Sequence, residues 1–134
     1  MITVDLAQIN FLAVVVAAIA HMATGLVWFS RRLFGEAWVT LTGKDLAPAR
    51  AWLPVAAVGH LAIALVLAVL IEATGATSPQ GGLVVALLVW VGFVVTLEIG
   101  ELVWEKIPFQ LFLIRIGDHL VALSLAGLIL GTWR

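Results

Sequence analysis

Apolar residues run almost unbroken over positions 9–29, 52–72, 83–104 and 108–131, and polar residues gather between these runs. At about 1.5 Å of rise per residue, some 20 residues cross a hydrocarbon core of roughly 30 Å, so each run is long enough to span. The pattern predicts an all-α fold: a polytopic integral membrane four-helix bundle in one domain covering residues 1–134. Between the first two runs, Leu33, Phe34, Ala37, Trp38 and Leu41 recur at helical spacing among charges, which predicts a short interfacial helix within residues 30–51. Punctuation agrees with the runs. Pro54 falls in the first turn of the second helix and Gly75 just past its end. Ser78 and Pro79 read as the cap and first turn of the third, and Pro108 opens the fourth after a turn at residues 105–107. Ala18 and Ala20 form a small-residue pattern of the kind that precedes signal cleavage, but no Lys or Arg comes before the first run, so it is expected to remain a span.

Composition narrows the class. With 63% hydrophobic and 11% charged residues, the chain does not read as a soluble domain, and membrane lipid is its first expected partner. A net charge of −1 supplies no basic field for nucleic acid. The absence of cysteine removes disulfides, thiolate metal sites and cysteine nucleophiles. Arg31, Arg32, Lys44, Arg50 and Lys106 fall at one end of the four spans and only Arg134 at the other, which predicts the first end in the cytoplasm and both termini outside. Trp28, Trp52 and Trp104 mark the cytoplasmic boundary and Trp133 the outer one, while Trp90 lies inside a span.

Candidate chemistry concentrates in residues 98–119. Glu98, Glu101 and Glu105 follow i, i+3, i+7 on the third helix, and Arg115, Asp118 and His119 follow i, i+3, i+4 on the fourth. The short turn at Lys106 makes these helices antiparallel neighbours, so Arg115 is the expected counter-charge of Glu98 or Glu101. His21 and His60 each lie about 12 Å below the same end, at about 1.5 Å per residue, which brings a polar group from every helix into one layer. On the first helix Asn10, Ala17, His21, Thr24 and Trp28 form a small and polar stripe suited to the bundle interior. The layer admits three readings: a network of partners that fixes helix register, with Asp118 paired to a histidine; a proton relay or small-ligand pocket; or a His/carboxylate metal site. No HxxxH, HExxH or ExxH spacing favours the metal, so no cofactor is expected. Gly127 and Gly131 form a GxxxG, and Gly92, Thr96 and Gly100 are spaced by fours, offering surfaces for close helix approach within the chain or between copies. No P-loop, nucleophile elbow or other catalytic signature is present.

The run Asn10, Phe11, Leu12, Ala13, then Gly25 to Ser30 with Trp28, then Leu33, Phe34, Gly35 and Trp38, resembles the N-terminal signature of a bacterial membrane family catalogued as domain of unknown function 1761. Glu105, Pro108 to Ile114, Gly117, His119 with Leu120, and Gly131 to Trp133 are similar to that family's C-terminal block. The resemblance implies a four-helix protein of the bacterial inner membrane with no established activity. It also implies that Asn10, Gly25, Trp28, Phe34, Gly35, Trp38, Glu105, Pro108, Gly117 and His119 are the candidates for any common site. The chain departs from the pattern at Phe29, where tyrosine is usual, and around Arg115 and Asp118, where neutral or aromatic residues are usual; His21 and His60 lie outside it. The resulting expectation is a non-enzymatic protein, a homo-oligomer and by preference a dimer, whose polar layer binds or passes a small ligand, ion or proton. The alternatives are an accessory protein using Leu33 to Trp38 as a contact surface, and a metal-dependent membrane enzyme.

Overall fold

The computed structural model describes residues 4–47 and 50–133, and among them there is no strand. Arg134 and, within the interfacial segment, Pro48 and Ala49 lie outside the described residues. The helices are α1 (Phe11–Trp28), α2 (Gly35–Thr42), α3 (Leu53–Thr74), α4 (Pro79–Val89), α5 (Thr96–Trp104) and α6 (Phe109–Thr132). A π-helical segment, Trp90–Val95, joins α4 to α5. Thus α1, α3, the composite α4–π–α5 and α6 are four helices long and apolar enough to span a membrane.

Local chemistry sets the ends. The Asn10 side-chain oxygen accepts from the backbone N–H groups of Leu12 and Ala13, both at 3.1 Å, and so starts α1. Gly75 takes φ 66° and closes α3, with Ala76 N–H donating to the Ile71 carbonyl and Gly75 N–H to that of Glu72, both at 3.1 Å. Ser78 Oγ accepts from Gly81 N–H at 3.0 Å, so the third helix begins at Pro79, as the Ser78–Pro79 pair predicts, ahead of the apolar run over 83–104. The interfacial helix is shorter than the apolar spacing over residues 30–51 suggests. Gly43, at φ 68°, ends it, and residues 30–34 form a turn instead. That turn folds back on α1: Phe34 N–H donates to the Trp28 carbonyl at 3.0 Å and Gly35 N–H to that of Ser30 at 2.9 Å. A Cβ on Gly35 would run into the carbonyl oxygens of Phe29 and Ser30, so glycine is required at this corner.

The bundle is tight at the end that holds the α3–α4 connection and open at the other, the basic end that holds α2 and the α5–α6 turn. Its core is built from small residues: Ala13, Ala17, Ala64, Ala86 and Ala126 have no accessible surface. Helix α6 is central, packing on α1, α3, α4 and α5. Gly127 and Gly131 meet α4 backbone to backbone; a Cβ on Gly82 would strike the Gly127 carbonyl, and one on Gly131 the Ser78 carbonyl. The GxxxG therefore serves an intramolecular contact of the kind that van der Waals packing drives between membrane helices. By contrast, an added Cβ on Gly92 or Gly100 meets nothing within 4 Å, so that stripe faces outward with Thr96. Helix α5 buries no residue.

The π segment explains how α5 serves the site. Gly82, Ala86, Trp90, Val94 and Glu98 recur every four residues and all face the bundle, buried or half-buried. In a regular helix at about 100° per residue, sixteen residues would leave Glu98 about 160° away from Gly82, on the opposite face. A turn bonded i→i+5 absorbs one extra residue, which returns about 100° of that drift. Glu98 is thereby kept on the side of α6.

Candidate functional site

Two polar clusters occupy the basic half of the bundle, rather than one continuous layer. In the first, α1 contributes His21, on the same face as buried Ala17 and Ala18; α3 contributes His60, one turn from buried Ala64; and α6 contributes Asp118 and His119. His21 is 3% exposed and Asp118 8%. His21 Nδ1 and His60 Nδ1 are 2.9 Å apart, with ring centroids 5.0 Å apart, and the His21 and His119 rings lie 6.3 Å apart. At that separation one Nδ1 carries a proton and donates while the other accepts. In two neutral rings, the acceptor then holds its own proton on Nε2, so the direction of this single bond fixes both tautomers. His21 Nε2 is buried without a hydrogen-bond partner among the described residues, and so is Asp118 Oδ1. Asp118 is near enough to His119 to interact with it electrostatically but forms no ion pair or hydrogen bond with a histidine among the described residues, the pairing that the register-network reading calls for. It lies instead beside Gly25, where a Cβ would come within 3.9 Å of Oδ1.

The second cluster joins α5 to α6. Arg115 Nε is 3.1 Å from Glu98 Oε2 and Arg115 Nη1 is 3.9 Å from Glu101 Oε2, so the expected ion pair is present and Glu98 is the closer partner. The guanidinium N–H is not aligned on Glu98 Oε2, which remains without a hydrogen bond although it is buried. The three glutamates do not share one environment: the Glu98 side chain is 13% exposed, that of Glu101 46%, and Glu105, capping α5, faces the surface. Glu101, Glu105, Arg115, Lys44 and Lys106 line a polar cleft of about 560 Å³ between α2 and the α5–α6 turn. A second cleft, of about 380 Å³, lies between α1, α2 and α3 and is lined by apolar residues and His60. No three His, Asp or Glu side chains among the described residues converge in an arrangement that holds a metal ion.

Two indoles brace α6 between the clusters, a feature that reading the sequence missed. Trp28 Nε1–H donates to the Ile114 carbonyl at 2.9 Å and Trp90 Nε1–H to the Ile116 carbonyl at 2.8 Å, from α1 and from the π segment. Gly117 makes room for the first, because a Cβ there would lie 2.9 Å from the Trp28 ring. Phe34 packs on the same indole with centroids 4.6 Å apart, and Trp38 meets Phe29 edge-on at 6.2 Å. Gly25, Trp28, Phe34, Gly35, Trp38 and Gly117 thus assemble around one corner. Asn10 and Pro108 cap α1 and α6, Gly25 lies beside Asp118, and His119 contributes its ring to the histidine cluster. The signal for the Trp90 contact was the four-residue spacing through the third span.

An all-helical bundle with four spanning-length apolar helices and ionisable groups inside its spans has the build of a polytopic membrane protein. The chain belongs to the family described as "Protein of unknown function (DUF1761)", whose pattern matches residues 12–131. No curated protein and no solved structure matches it.

Proposed function

We propose that this is a non-enzymatic protein of the bacterial inner membrane that takes up and passes a proton through the His21–His60 pair, with His119 and Asp118 on its inner side. The observation that carries this reading is the Nδ1 to Nδ1 hydrogen bond, with His21 Nε2 buried and unpartnered among the described residues. A proton arriving on Nε2 of one ring lets its Nδ1 proton cross to the second ring, which releases its own from Nε2. Two imidazoles joined in this way return to a bonded pair after each passage, with the bond reversed. Leu33 and Phe34 are exposed, so a contact surface at Leu33 to Trp38 stands as the second reading, whereas the metal reading lacks a converging donor set among the described residues.

Vesicles carrying the purified protein and an entrapped pH dye, polarised by a potassium diffusion potential, are expected to acidify faster than protein-free vesicles. His21→Gln and His60→Gln should each return the rate to the protein-free level. A wild-type rate equal to that of empty vesicles would sink the relay.

The basic connections support a cytoplasmic location for that end with the termini outside, and the outward Gly92–Thr96–Gly100 stripe suits association of two copies. Single cysteines test both inferences. Ala76→Cys should react with an impermeant maleimide on intact cells, and Thr96→Cys should cross-link two copies; labelling of Ala76→Cys only after permeabilisation reverses the orientation, and no cross-link at Thr96→Cys removes this interface.

A further inference from the structure

We propose that the cleft between α1, α2 and α3 binds an uncharged, lipid-soluble compound with an apolar body and one hydroxyl, which bonds Nε2 of His60. The proposal rests on the relay reading and names what controls it. The volume of about 380 Å³ falls within the range of small-molecule sites, roughly 300–1,000 Å³. Met22, Leu26, Phe29 and Leu53 supply apolar walls, and no charged side chain among the described residues lines the cleft, so an ionised head group would lack a counter-charge. Of the lining side chains only His60 and Trp38 are strong hydrogen-bonding groups, and Trp38 can only donate. His60 Nδ1 is engaged by His21, so Nε2 is the nitrogen left for an occupant, accepting or donating according to the tautomer. A hydroxyl serves either form, whereas an ether or ketone serves one.

The occupant's chemistry reaches the buried ring. A hydroxyl that donates to His60 Nε2 holds the His60 proton on Nδ1. His60 then donates to His21 Nδ1, and His21 carries its own proton on Nε2. In this donating role, the one expected of an acidic hydroxyl such as a phenol, the occupant fixes the direction of the bond between the two rings.

The test uses full-length protein labelled with nitrogen-15 at histidine, in lipid nanodiscs, titrated with 4-pentylphenol and with its methyl ether, 4-pentylanisole. The phenol is expected to give saturable shifts marking His60 Nε2 as an acceptor and His21 Nε2 as protonated. Loss of one hydrogen bond should make the ether bind about fivefold more weakly. Ala56→Trp, which fills the cleft from an exposed position on the turn before His60, should abolish saturation by both. Equal affinities for phenol and ether would leave an acyl-chain site only and overturn the hydroxyl contact; non-saturable shifts, or shifts unchanged in Ala56→Trp, would overturn the site. Saturable binding in a protein that passes no protons in vesicles would refute the relay and leave the ligand site standing.

Discussion

Arg115→Met should destabilise the detergent-solubilised protein by about 2 kcal/mol, and adding Glu98→Gln should recover most of that loss. Truncating one member of a fully buried pair costs about 3 to 5 kcal/mol because the other charge is left unpaired. Here 32% of the Arg115 side chain is exposed, so screening places the cost below that range. Glu98, 13% exposed and 3.1 Å from the guanidinium, is the charge left behind. Glu101, at 3.9 Å and 46% exposed, has solvent to turn to, so Glu101→Gln should rescue little. Denaturant unfolding of the two single variants and both doubles measures the coupling. Additive losses for Arg115 and Glu98 would show that the pair contributes nothing as a pair.

Gly82→Ala should cost about 1 to 3 kcal/mol, the usual toll of overpacking, because its Cβ falls on the Gly127 carbonyl and the Gly131 Cα lies 3.1 Å from the same point. Backbone cannot rotate aside as a side chain can. Gly59→Ala, inside α3, is the internal control, since its Cβ meets nothing within 4 Å and alanine favours a helix over glycine by about 1 kcal/mol. Thermal melts should therefore separate the two, with Gly82→Ala lowered and Gly59→Ala unchanged or raised. Equal melting temperatures would mean that the α4–α6 contact yields freely.

The fold was legible wherever its cause is local. Long apolar runs, Gly75 after the second and Ser78 with Pro79 before the third each act through neighbours in sequence, and each does what its chemistry predicts; Asn10, read as part of an interior stripe, instead caps the first helix. Depth was legible too: counting residues from the helix ends placed His21, His60 and His119 together, and the His21 ring lies beside both of the others. Azimuth was not. Whether Asp118 turns toward a histidine or toward Gly25 depends on how α6 is rotated against α1, which no spacing within α6 encodes. The division into a histidine cluster and an ion-pair cluster has the same origin. The wide turn at Trp90 was hidden because residues spaced by four satisfy a helical template over short windows; the drift becomes decisive only across the full span from Gly82 to Glu98. The signature residues show the limit from another side. Trp28, Phe34, Gly35 and Gly117 read as candidates for chemistry, yet their contacts build a corner and hold α6 in place.

The glycine crossing of α4 on α6 and the ion pair of α5 on α6 lie at opposite ends of one continuous span. From Gly82 to Glu98 is about 24 Å, at about 1.5 Å per residue. With Gly82 as the fulcrum of a lever that long, a tilt of about 5° would carry Glu98 about 2 Å sideways. That displacement is enough to turn the 3.1 Å approach to Arg115 into a gap wide enough for solvent. A methyl group at the fulcrum and a charge removed at the tip would then have the same outcome, and the cleft beside Arg115 would widen in both.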